Sequence, residues 1–416
     1  MKVHINSETI YKIEKYIKPE LVYIPLENKN GIKYKHLVKS GDYIHKGEVL
    51  AVNEEINFPI HSSVSGYALI GSTKTINNGK EIKCVVIEND FKEKYEKSKV
   101  ITKKNYTKEE FINSLRENGI TGLGGSDFPT FLKYKNNDIK YLIVNGVECE
   151  PFVSCDKALM KDSPEEILEA VDKIMEIFNI KKSFIVLKKN SFKAITAINK
   201  YIGTYPNISL TLTEDIYPNG WERLVVKNTL GIEYDKYPIE KGILVNNVST
   251  IYAIYEMLKY NRPLTERIIT ITGPGIKKKT NVKVKIGTLA SEVISSLDGY
   301  KKIKNPLFIA GGPMMGKSVP TDDLIITKDL NAILVIENNF EKSLPCISCG
   351  KCLEVCPAKI YPALIMKNIN NTKKIACLKP EECIECGLCS YICPSKIEVR
   401  EFVKSAKERV NDNERV

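Results

Sequence analysis

Histidine is scarce in this chain of 416 residues. The four histidines, His4, His36, His45 and His61, lie near the start, and the 355 residues after His61 contain none. A histidine-based catalytic triad or acid–base pair in the body of the chain is therefore excluded, unless the N-terminal part supplies it. This absence favours cofactor chemistry over hydrolysis.

Long apolar runs are also lacking. No stretch approaches the roughly eighteen residues that a membrane-spanning helix needs. Residues 1–20 do not contain the apolar core of a signal peptide. We therefore expect no direct membrane span, and any membrane association to come through a partner.

The charge of the chain is strongly positive, with a formal net charge of +11. A basic surface suits nucleic acid, anionic lipid or an acidic protein. The lysines are scattered and no nucleic-acid-binding module is recognisable, so we expect no nucleic-acid partner. A solvated, lysine-rich surface is the favoured interpretation, and an acidic redox partner is the next.

Eight of the twelve cysteines form two consecutive C-x2-C-x2-C-x3-C-P runs near the C-terminus. This spacing is typical of proteins with two [4Fe–4S] clusters, in which the fourth cysteine of each run ligates the other cluster. Zinc sites need four ligands and often include histidine, which this region lacks. The spacing predicts one cluster on Cys346, Cys349, Cys352 and Cys393, and a second on Cys383, Cys386, Cys389 and Cys356.

Thiolate clusters imply a reducing compartment. We therefore expect a cytoplasmic protein, or one held on the cytosolic face of a membrane through its partners. The clusters also predict that the C-terminal region transfers single electrons.

Residues 1–95 are rich in short strands separated by turns. Their two-part pattern resembles the barrel-sandwich hybrid of lipoyl and biotinyl modules. The lysine that carries the prosthetic group in such modules is absent, and His61 lies in the corresponding hairpin. We expect a scaffold, with His61 as a hydrogen-bonded turn residue rather than a ligand.

Residues 96–260 alternate between helical and strand patterns. A capping box from Thr107 to Glu110 begins a helix, and a glycine-rich loop follows it at residues 119–125. Such glycines let backbone amides approach a phosphate closely. The alternation predicts a largely parallel, doubly wound sheet, whose ligands lie at the carboxyl ends of the strands. Residues 261–340 predict a small α+β unit.

With these motifs, the chain resembles the RnfC subunit of the Rnf electron-transport complex over nearly its whole length. Its central part is also similar to the flavin-bearing subunit of respiratory NADH dehydrogenase. The resemblance implies a multidomain α/β protein. Its parts are a barrel-sandwich hybrid (1–95), a Rossmann-like FMN/NADH-binding α/β domain (96–260), a β-grasp soluble-ligand-binding (SLBB) domain (261–340), a ferredoxin-like domain with two [4Fe–4S] clusters (341–400) and a charged tail (401–416).

The same resemblance implies a pocket for FMN and NADH. It rests on a G-x-G-G-x-x-F-P-T loop at 122–130, an N-x-x-E-x-E-P turn at 145–151, residues 217–222 and an asparagine pair. In this resemblance the loop and a lysine hold the FMN phosphate, and asparagines form hydrogen bonds with the edge of the flavin ring. A carboxylate accepts hydrogen bonds from ribose hydroxyls, and an aromatic side chain stacks on a planar ring. The implied residues are Gly122, Gly124, Gly125, Phe128, Lys133, Asn145, Glu148, Glu150, Glu222, Asn246 and Asn247.

Two positions depart from the family pattern. Asp127 stands where the family usually has glycine, and Trp221 replaces a small or acidic residue. If the FMN phosphate lies on the loop, Asp127 must point away from it or pair with a cation such as Lys133 or Lys135, because a carboxylate would repel the phosphate.

The implied function is electron transfer between NADH (or NAD) and a partner redox protein, through FMN and two [4Fe–4S] clusters. The chain would then be an NADH-dependent oxidoreductase subunit whose partners are ferredoxin, flavodoxin, a reductase or the membrane subunits of an Rnf complex. One alternative is a soluble RnfC-like protein that feeds a reductase such as proline reductase. The other is a flavin-free relay between clusters.

Overall fold

The structure is a computed structural model that describes residues 9–95, 105–135, 138–339 and 341–413. Three parts of the chain discussed above lie outside the described residues. They are His4, the segment 96–104 that follows the first predicted domain, and the end of the charged tail from Glu414 onward.

The N-terminal region consists of short strands, as its turn-rich sequence predicts. Two antiparallel sheets, with strand orders β2-β8-β7-β4 and β3-β5-β6, pack around buried aliphatic residues such as Val22, Leu50 and Val85. This is the predicted barrel-sandwich arrangement. The strands are β1 (Ile13–Tyr16), β2 (Leu21–Pro25), β3 (Lys35–His36), β4 (Tyr43–Ile44), β5 (Val49–Asn53), β6 (Phe58–His61), β7 (Gly66–Thr75) and β8 (Glu81–Asn89).

The central region forms a parallel four-stranded sheet with the order β11-β10-β9-β12, as predicted from its alternation of helices and strands. Helices cover both faces, and the larger core includes Leu142, Val171 and Ile254. The elements are α1 (Lys108–Glu117), α2 (Thr130–Lys133), β9 (Tyr141–Asn145), α3 (Cys155–Asp162), α4 (Pro164–Phe178), β10 (Lys182–Lys188), α5 (Phe192–Ile202), β11 (Ile208–Thr213), α6 (Glu222–Leu230), β12 (Ile243–Asn247) and α7 (Val248–Tyr260).

The register of the parallel sheet positions the candidate site. Asn145 on β9 lies beside Asn247 on β12, so two predicted flavin-contacting residues end neighbouring strands at the same edge. Asn247 also caps α7, because its side chain accepts a hydrogen bond from the Ser249 amide. The carboxyl edge of this sheet is where doubly wound folds bind ligands.

A mixed six-stranded sheet follows, with the order β1-β14-β13-β17-β15-β16. Its first strand comes from the N-terminal region, because β1 pairs in parallel with β14. The sequence did not indicate this pairing. The other elements are β13 (Glu266–Thr272), β14 (Thr280–Lys285), α8 (Ala290–Ser296), β15 (Pro306–Ala310), β16 (Lys317–Val319) and β17 (Ala332–Glu337).

The C-terminal region consists of short helices and cysteine-bearing loops, packed on one longer helix. Val403 and Ala406 of that helix are fully buried against Ile365 and Ile375. Within the described residues, none of the helices combines the length and apolarity that crossing a bilayer requires. The helices are α9 (Lys351–Glu354), α10 (Pro362–Lys367), α11 (Thr372–Cys377), α12 (Leu388–Tyr391) and α13 (Val399–Asn413).

Candidate functional site

The glycine-rich loop is a tight turn between α1 and α2. The Gly122 amide donates to the Phe128 carbonyl at 2.9 Å, which closes the turn. A Cβ at Gly124 would lie 3.1 Å from the Asn247 Cβ, so glycine lets the loop approach the end of β12. Gly125 has a φ of +102°, and a Cβ there would face open space. The loop therefore borders an open volume beside the sheet edge.

Neighbouring elements hold the carbonyls of this loop. Lys29 donates to the Gly125 carbonyl, Asn30 to the Ser126 carbonyl at 3.1 Å, and Arg267 to the Leu123 carbonyl at 3.4 Å. In a trans peptide the N–H points opposite to the C=O. The amides that follow these carbonyls therefore point away from the three donors.

Two of those amides belong to Gly124 and Ser126. Neither they nor the Gly125 amide has a hydrogen-bond partner within the part of the chain that the structure describes. Adjacent unpaired amides make an anion-binding concavity. The loop geometry therefore fits a phosphate.

Asp127 is turned away from the open side of the loop. Its φ of +52° lies in the left-handed region, where glycine is favoured and aspartate is tolerated. The carboxylate accepts a hydrogen bond from the Asn28 side chain at 2.9 Å and is attracted by Lys328, not by Lys133 or Lys135. Burial, with repulsion from Asp329, raises its pKa to about 6.

The asparagines at the sheet edge are engaged with protein groups. Asn145 donates to the Gly220 carbonyl at 2.9 Å, which ties the third pocket segment to β9. Asn247 donates to Asp156 at 2.6 Å. Asn246 points into the interior, where it donates to the hydroxyl of the buried Tyr134 at 2.7 Å. Their roles toward a flavin stay predictions.

The Glu148 carboxylate holds the first turn of α3. It accepts hydrogen bonds from the amides of Asp156 at 3.0 Å and Lys157 at 3.3 Å, and from the Cys155 thiol at 3.4 Å. Burial raises its pKa to about 7, and the neighbouring Asp156 adds to the shift. Its predicted contact with ribose is not tested by this geometry.

The Glu150 carboxylate binds a loop of the mixed-sheet region. It accepts hydrogen bonds from the amides of Met314 at 3.2 Å and Met315 at 2.5 Å. A Cβ at Gly312 would lie 2.6 Å from the Glu150 carboxyl carbon, so the loop packs closely on this side chain. Burial raises the pKa of Glu150 to about 7.

The remaining predicted pocket residues lie at the open side of the sheet edge. Lys133 donates to the Val245 carbonyl at 3.0 Å and lies 3.7 Å from the Glu222 carboxylate. The Phe128 ring is 43 % exposed, an unusual position for a large apolar side chain unless a ligand or partner covers it. The helix behind the loop, α2, has only one turn.

The eight motif cysteines line two separate cavities. Cys346, Cys349, Cys352 and Cys393 line one, which we call the outer cavity. Cys356, Cys383, Cys386 and Cys389 line the other, which we call the inner cavity. Each group has the composition that the crossover spacing predicts, although ligation itself stays a prediction.

Three potential metal-ligand atoms lie close together beside the start of α3. They belong to Glu148, Cys155 and Asp156 and lie within 4.8 Å of one another, and this group of described residues includes no motif cysteine.

The inner cavity packs against the central region. The Tyr217 hydroxyl donates to the Cys386 carbonyl at 2.7 Å, and both residues are buried with Met314. Arg400 donates to the Met314 carbonyl at 2.7 Å, so the loop that binds Glu150 also binds α13. The sequence did not indicate either contact. Tyr217 lies in the motif at 217–222, but the motif does not predict its bond to Cys386, and no sequence signal predicts the bond from Arg400 to Met314, because both pairs are far apart in sequence.

Family models match three parts of the chain. The RnfC barrel-sandwich hybrid domain matches residues 3–92, the Nuo51 FMN-binding domain matches 115–256, and a 4Fe–4S dicluster domain matches 345–397. The predicted cofactors, FMN and [4Fe–4S] clusters, are thus supported by the domains present.

Curated proteins resemble the chain over most of its length. It is 32% identical over 382 residues to the C subunit of the proton-translocating ferredoxin:NAD(+) oxidoreductase complex of Clostridium ljungdahlii, covering 87% of this chain and 82% of that protein. It is 30% identical over 374 residues to the C subunit of the ion-translocating oxidoreductase complex of Rhodobacter capsulatus, covering 86% of this chain and 71% of that protein.

A solved structure shares the fold. An NAD+-reducing [NiFe]-hydrogenase in the H2-reduced state superposes with a TM-score of 0.52 at 14% sequence identity. The match covers 73% of this chain and 63% of the hydrogenase chain. At this identity the likeness concerns the fold alone.

Proposed function

The chain belongs to the RnfC family of ion-translocating oxidoreductase complexes, and we propose that it exchanges electrons between NADH (or NAD) and a partner redox protein. FMN and two [4Fe–4S] clusters carry the electrons. The chain is then an NADH-dependent oxidoreductase subunit that works with other subunits or carriers. We place it in the cytoplasm, at the cytosolic face of the membrane when it is bound to membrane partners.

One observation carries the proposal. Tyr217, from the loop between β11 and α6, bonds the carbonyl of Cys386 in the inner cavity. The loop that ends at Gly220 is in turn bonded to Asn145 at the carboxyl edge of the sheet. The candidate flavin pocket and the inner cavity are therefore joined by one short segment of chain, of which Tyr217 and Pro218 are buried.

The pocket residues have distinct tasks in this proposal. The amides of Gly124, Gly125 and Ser126 bind the FMN phosphate. Asn145 and Asn247 bond the edge of the flavin ring, and the exposed Phe128 stacks on a planar ring.

The carboxylates and Lys133 of the predicted pocket belong to the same proposal. We assign Glu148, Glu150 and Glu222 to the nicotinamide nucleotide, and Lys133 to the phosphate side. FMN held by these residues would supply the conversion between two-electron hydride transfer and one-electron transfer that a one-electron cluster requires.

The cysteines hold the clusters in the pairing that their spacing predicts. Cys356, Cys383, Cys386 and Cys389 bind the inner cluster, and Cys346, Cys349, Cys352 and Cys393 bind the outer one. We assign the domain boundaries after residues 95, 260, 340 and 400 as part of the same proposal.

Anaerobic reconstitution of the full chain tests this function. We expect about eight iron atoms and one FMN per chain. Adding NADH should bleach the flavin absorbance and then the iron–sulfur absorbance. A protein that holds FMN and about eight irons, but whose clusters are reduced by dithionite and not by NADH, would contradict the proposal.

A matched pair of variants separates the pocket from general stability. In Gly124→Ala the new Cβ meets Asn247, so FMN affinity and NADH-dependent bleaching should fall while the iron content stays unchanged. Gly203→Ala is the control, because a Cβ there meets nothing within 4 Å and the backbone is already α-helical. It should change neither cofactor content nor bleaching.

A further inference from the structure

The two cysteine cavities differ in their surroundings. The inner cavity is covered by Tyr217 of the central region and by Met314 of the mixed-sheet region, and Cys386 is only 8% exposed. The outer cavity includes Cys349, which is exposed. We propose that the surface around the outer cavity is the docking face for an acidic protein carrying a one-electron redox centre. This inference rests on the proposed function and names the kind of partner.

Exposed apolar side chains surround the outer cavity. Ile347 lines it and is 68% exposed. Leu344 is 63% exposed, and its amide bonds the carbonyl of Ser395, which also lines the cavity. Leu364 is 46% exposed and follows Ala363, another lining residue. Three large apolar side chains exposed around one cavity suit contact with another protein.

Two lysines complete this surface. Lys351 lines the cavity and is exposed. Lys367 donates to the hydroxyl of Ser348, another lining residue, at 2.7 Å. We define the outer face as Leu344, Ile347, Lys351, Leu364 and Lys367.

The charge of the cysteine region is divided between its two halves. Residues 341–379 contain seven lysines and two glutamates, whereas residues 380–413 contain seven acidic and five basic residues. The half that supplies the outer face is thus basic, and the half that contributes most of the inner cavity is slightly acidic. Complementary charge speeds the encounter of redox proteins, whose interfaces are small. The face therefore fits an acidic partner.

The electron balance also demands a redox partner at an exposed cluster. Each NADH oxidised gives NAD+, a proton and two electrons, and a [4Fe–4S] cluster passes on one electron at a time. Each NADH therefore reduces two molecules of a one-electron acceptor, or one acceptor with two such centres that docks twice. The reverse flow has the same balance.

The test uses a bacterial two-cluster ferredoxin, a small acidic protein, as the probe. The variant is Lys351→Glu/Lys367→Glu in the full, reconstituted chain. The control is Lys277→Glu/Lys301→Glu, which makes the same charge change at exposed positions of the mixed-sheet region. Two quantities are measured at low and high salt: ferredoxin binding by interferometry, and the second-order rate of NADH-dependent ferredoxin reduction.

We expect the outer-face variant to lose at least tenfold in both binding and rate at low salt, and to lose most of the salt dependence. The rate at which NADH bleaches the clusters in the absence of ferredoxin is measured for each variant, and each rate of ferredoxin reduction is divided by it. The control should behave as the unmodified protein. An equal loss of ferredoxin binding and reduction rate in both variants, or no loss in either, would contradict the proposal that the outer face is the docking surface.

Two further outcomes separate the hypotheses. If NADH fails to reduce the clusters of the unmodified chain, the proposed function is wrong. The ferredoxin-binding measurement still tests whether the outer face is a docking surface. If the outer-face variant keeps ferredoxin binding but loses binding to vesicles of anionic phospholipid, the face contacts a membrane, and the proposal of a protein partner is wrong.

Discussion

Replacing Asp127 with asparagine should stabilise the folded protein. The Asp127 carboxylate is buried between the N-terminal sandwich and the glycine-rich loop, where Asn28 donates to it. Asparagine keeps an oxygen that accepts this hydrogen bond, and it tolerates the φ of +52°. The substitution therefore removes the charge and little else.

The magnitude follows from the pKa of Asp127. A carboxyl group with a pKa of 3.8 in the unfolded chain and about 6 in the folded one weakens the folded state by about 3 kcal/mol at pH 7.5. The penalty falls to about half of that at pH 5 and vanishes below the unfolded pKa, because the group is then protonated in both states. Lys328 loses its attraction to Asp127 in the variant, which offsets part of the gain. We expect a net gain of about 1–3 kcal/mol at pH 7.5.

Thermal unfolding at one scan rate, followed by fluorescence, measures this gain. Trp221 is the only tryptophan of the chain and reports on the central region. Each kcal/mol raises the melting temperature by roughly 2–4 °C for a unit of this size. We expect a rise of roughly 2–12 °C at pH 7.5 that shrinks at pH 5.

The control for this prediction is Asp298→Asn. Asp298 also has a positive φ, of 68°, but its side chain is exposed. Its replacement should change the melting temperature by less than about 1 °C. A rise of equal size in both variants, or an Asp127→Asn rise that does not depend on pH, would show that burial of the charge is not the cause.

Two other predictions concern the cysteine region. Cys349→Ser and Cys356→Ser should each lower the iron content toward about four per chain and remove different clusters, as resolved by EPR of the reduced protein; loss of the same EPR signal in both would refute the crossover pairing. Tyr217→Phe leaves the buried Cys386 carbonyl without its donor and should cost about 1–3 kcal/mol of stability. Tyr237→Phe, at a 65% exposed ring, should cost nothing measurable, and equal melting curves for the two variants would argue against the Tyr217 contact.

Local sequence signals predicted the elements that local forces determine. Helix α4 (Pro164–Phe178) is one of the helices in the predicted alternation, and its bounds follow from local signals because proline suits its first turn and its apolar residues recur on one face. The capping box at Thr107 and Glu110 is present with both of its hydrogen bonds. The cysteine spacing likewise predicted which sulfurs share a cavity, since short gaps wrap the chain around one site.

Contacts between distant segments could not be predicted from local sequence patterns. Strand β1 pairs with β14 across most of the chain, and Tyr217 meets Cys386 across 169 residues. Neither periodicity nor turn chemistry encodes such a meeting, because both describe only neighbours in sequence. Asp127 is turned away from the open side of the loop, which is one of the two arrangements expected for it. The cation that attracts it, Lys328, could not be identified from the sequence for the same reason, because it is remote in sequence but adjacent in space.

These distant contacts bear on the prediction that the loop binds a phosphate although it contains a carboxylate. The donors behind it, Lys29 and Arg267, come from outside the central region and hold carbonyls that would otherwise compete with a phosphate for the open side. Lys328 lies behind the same loop and attracts the Asp127 carboxylate. The loop therefore presents amides on one face and keeps its negative charge on the other. Aspartate at position 127 is compatible with the proposed phosphate site because the neighbouring regions supply these cations.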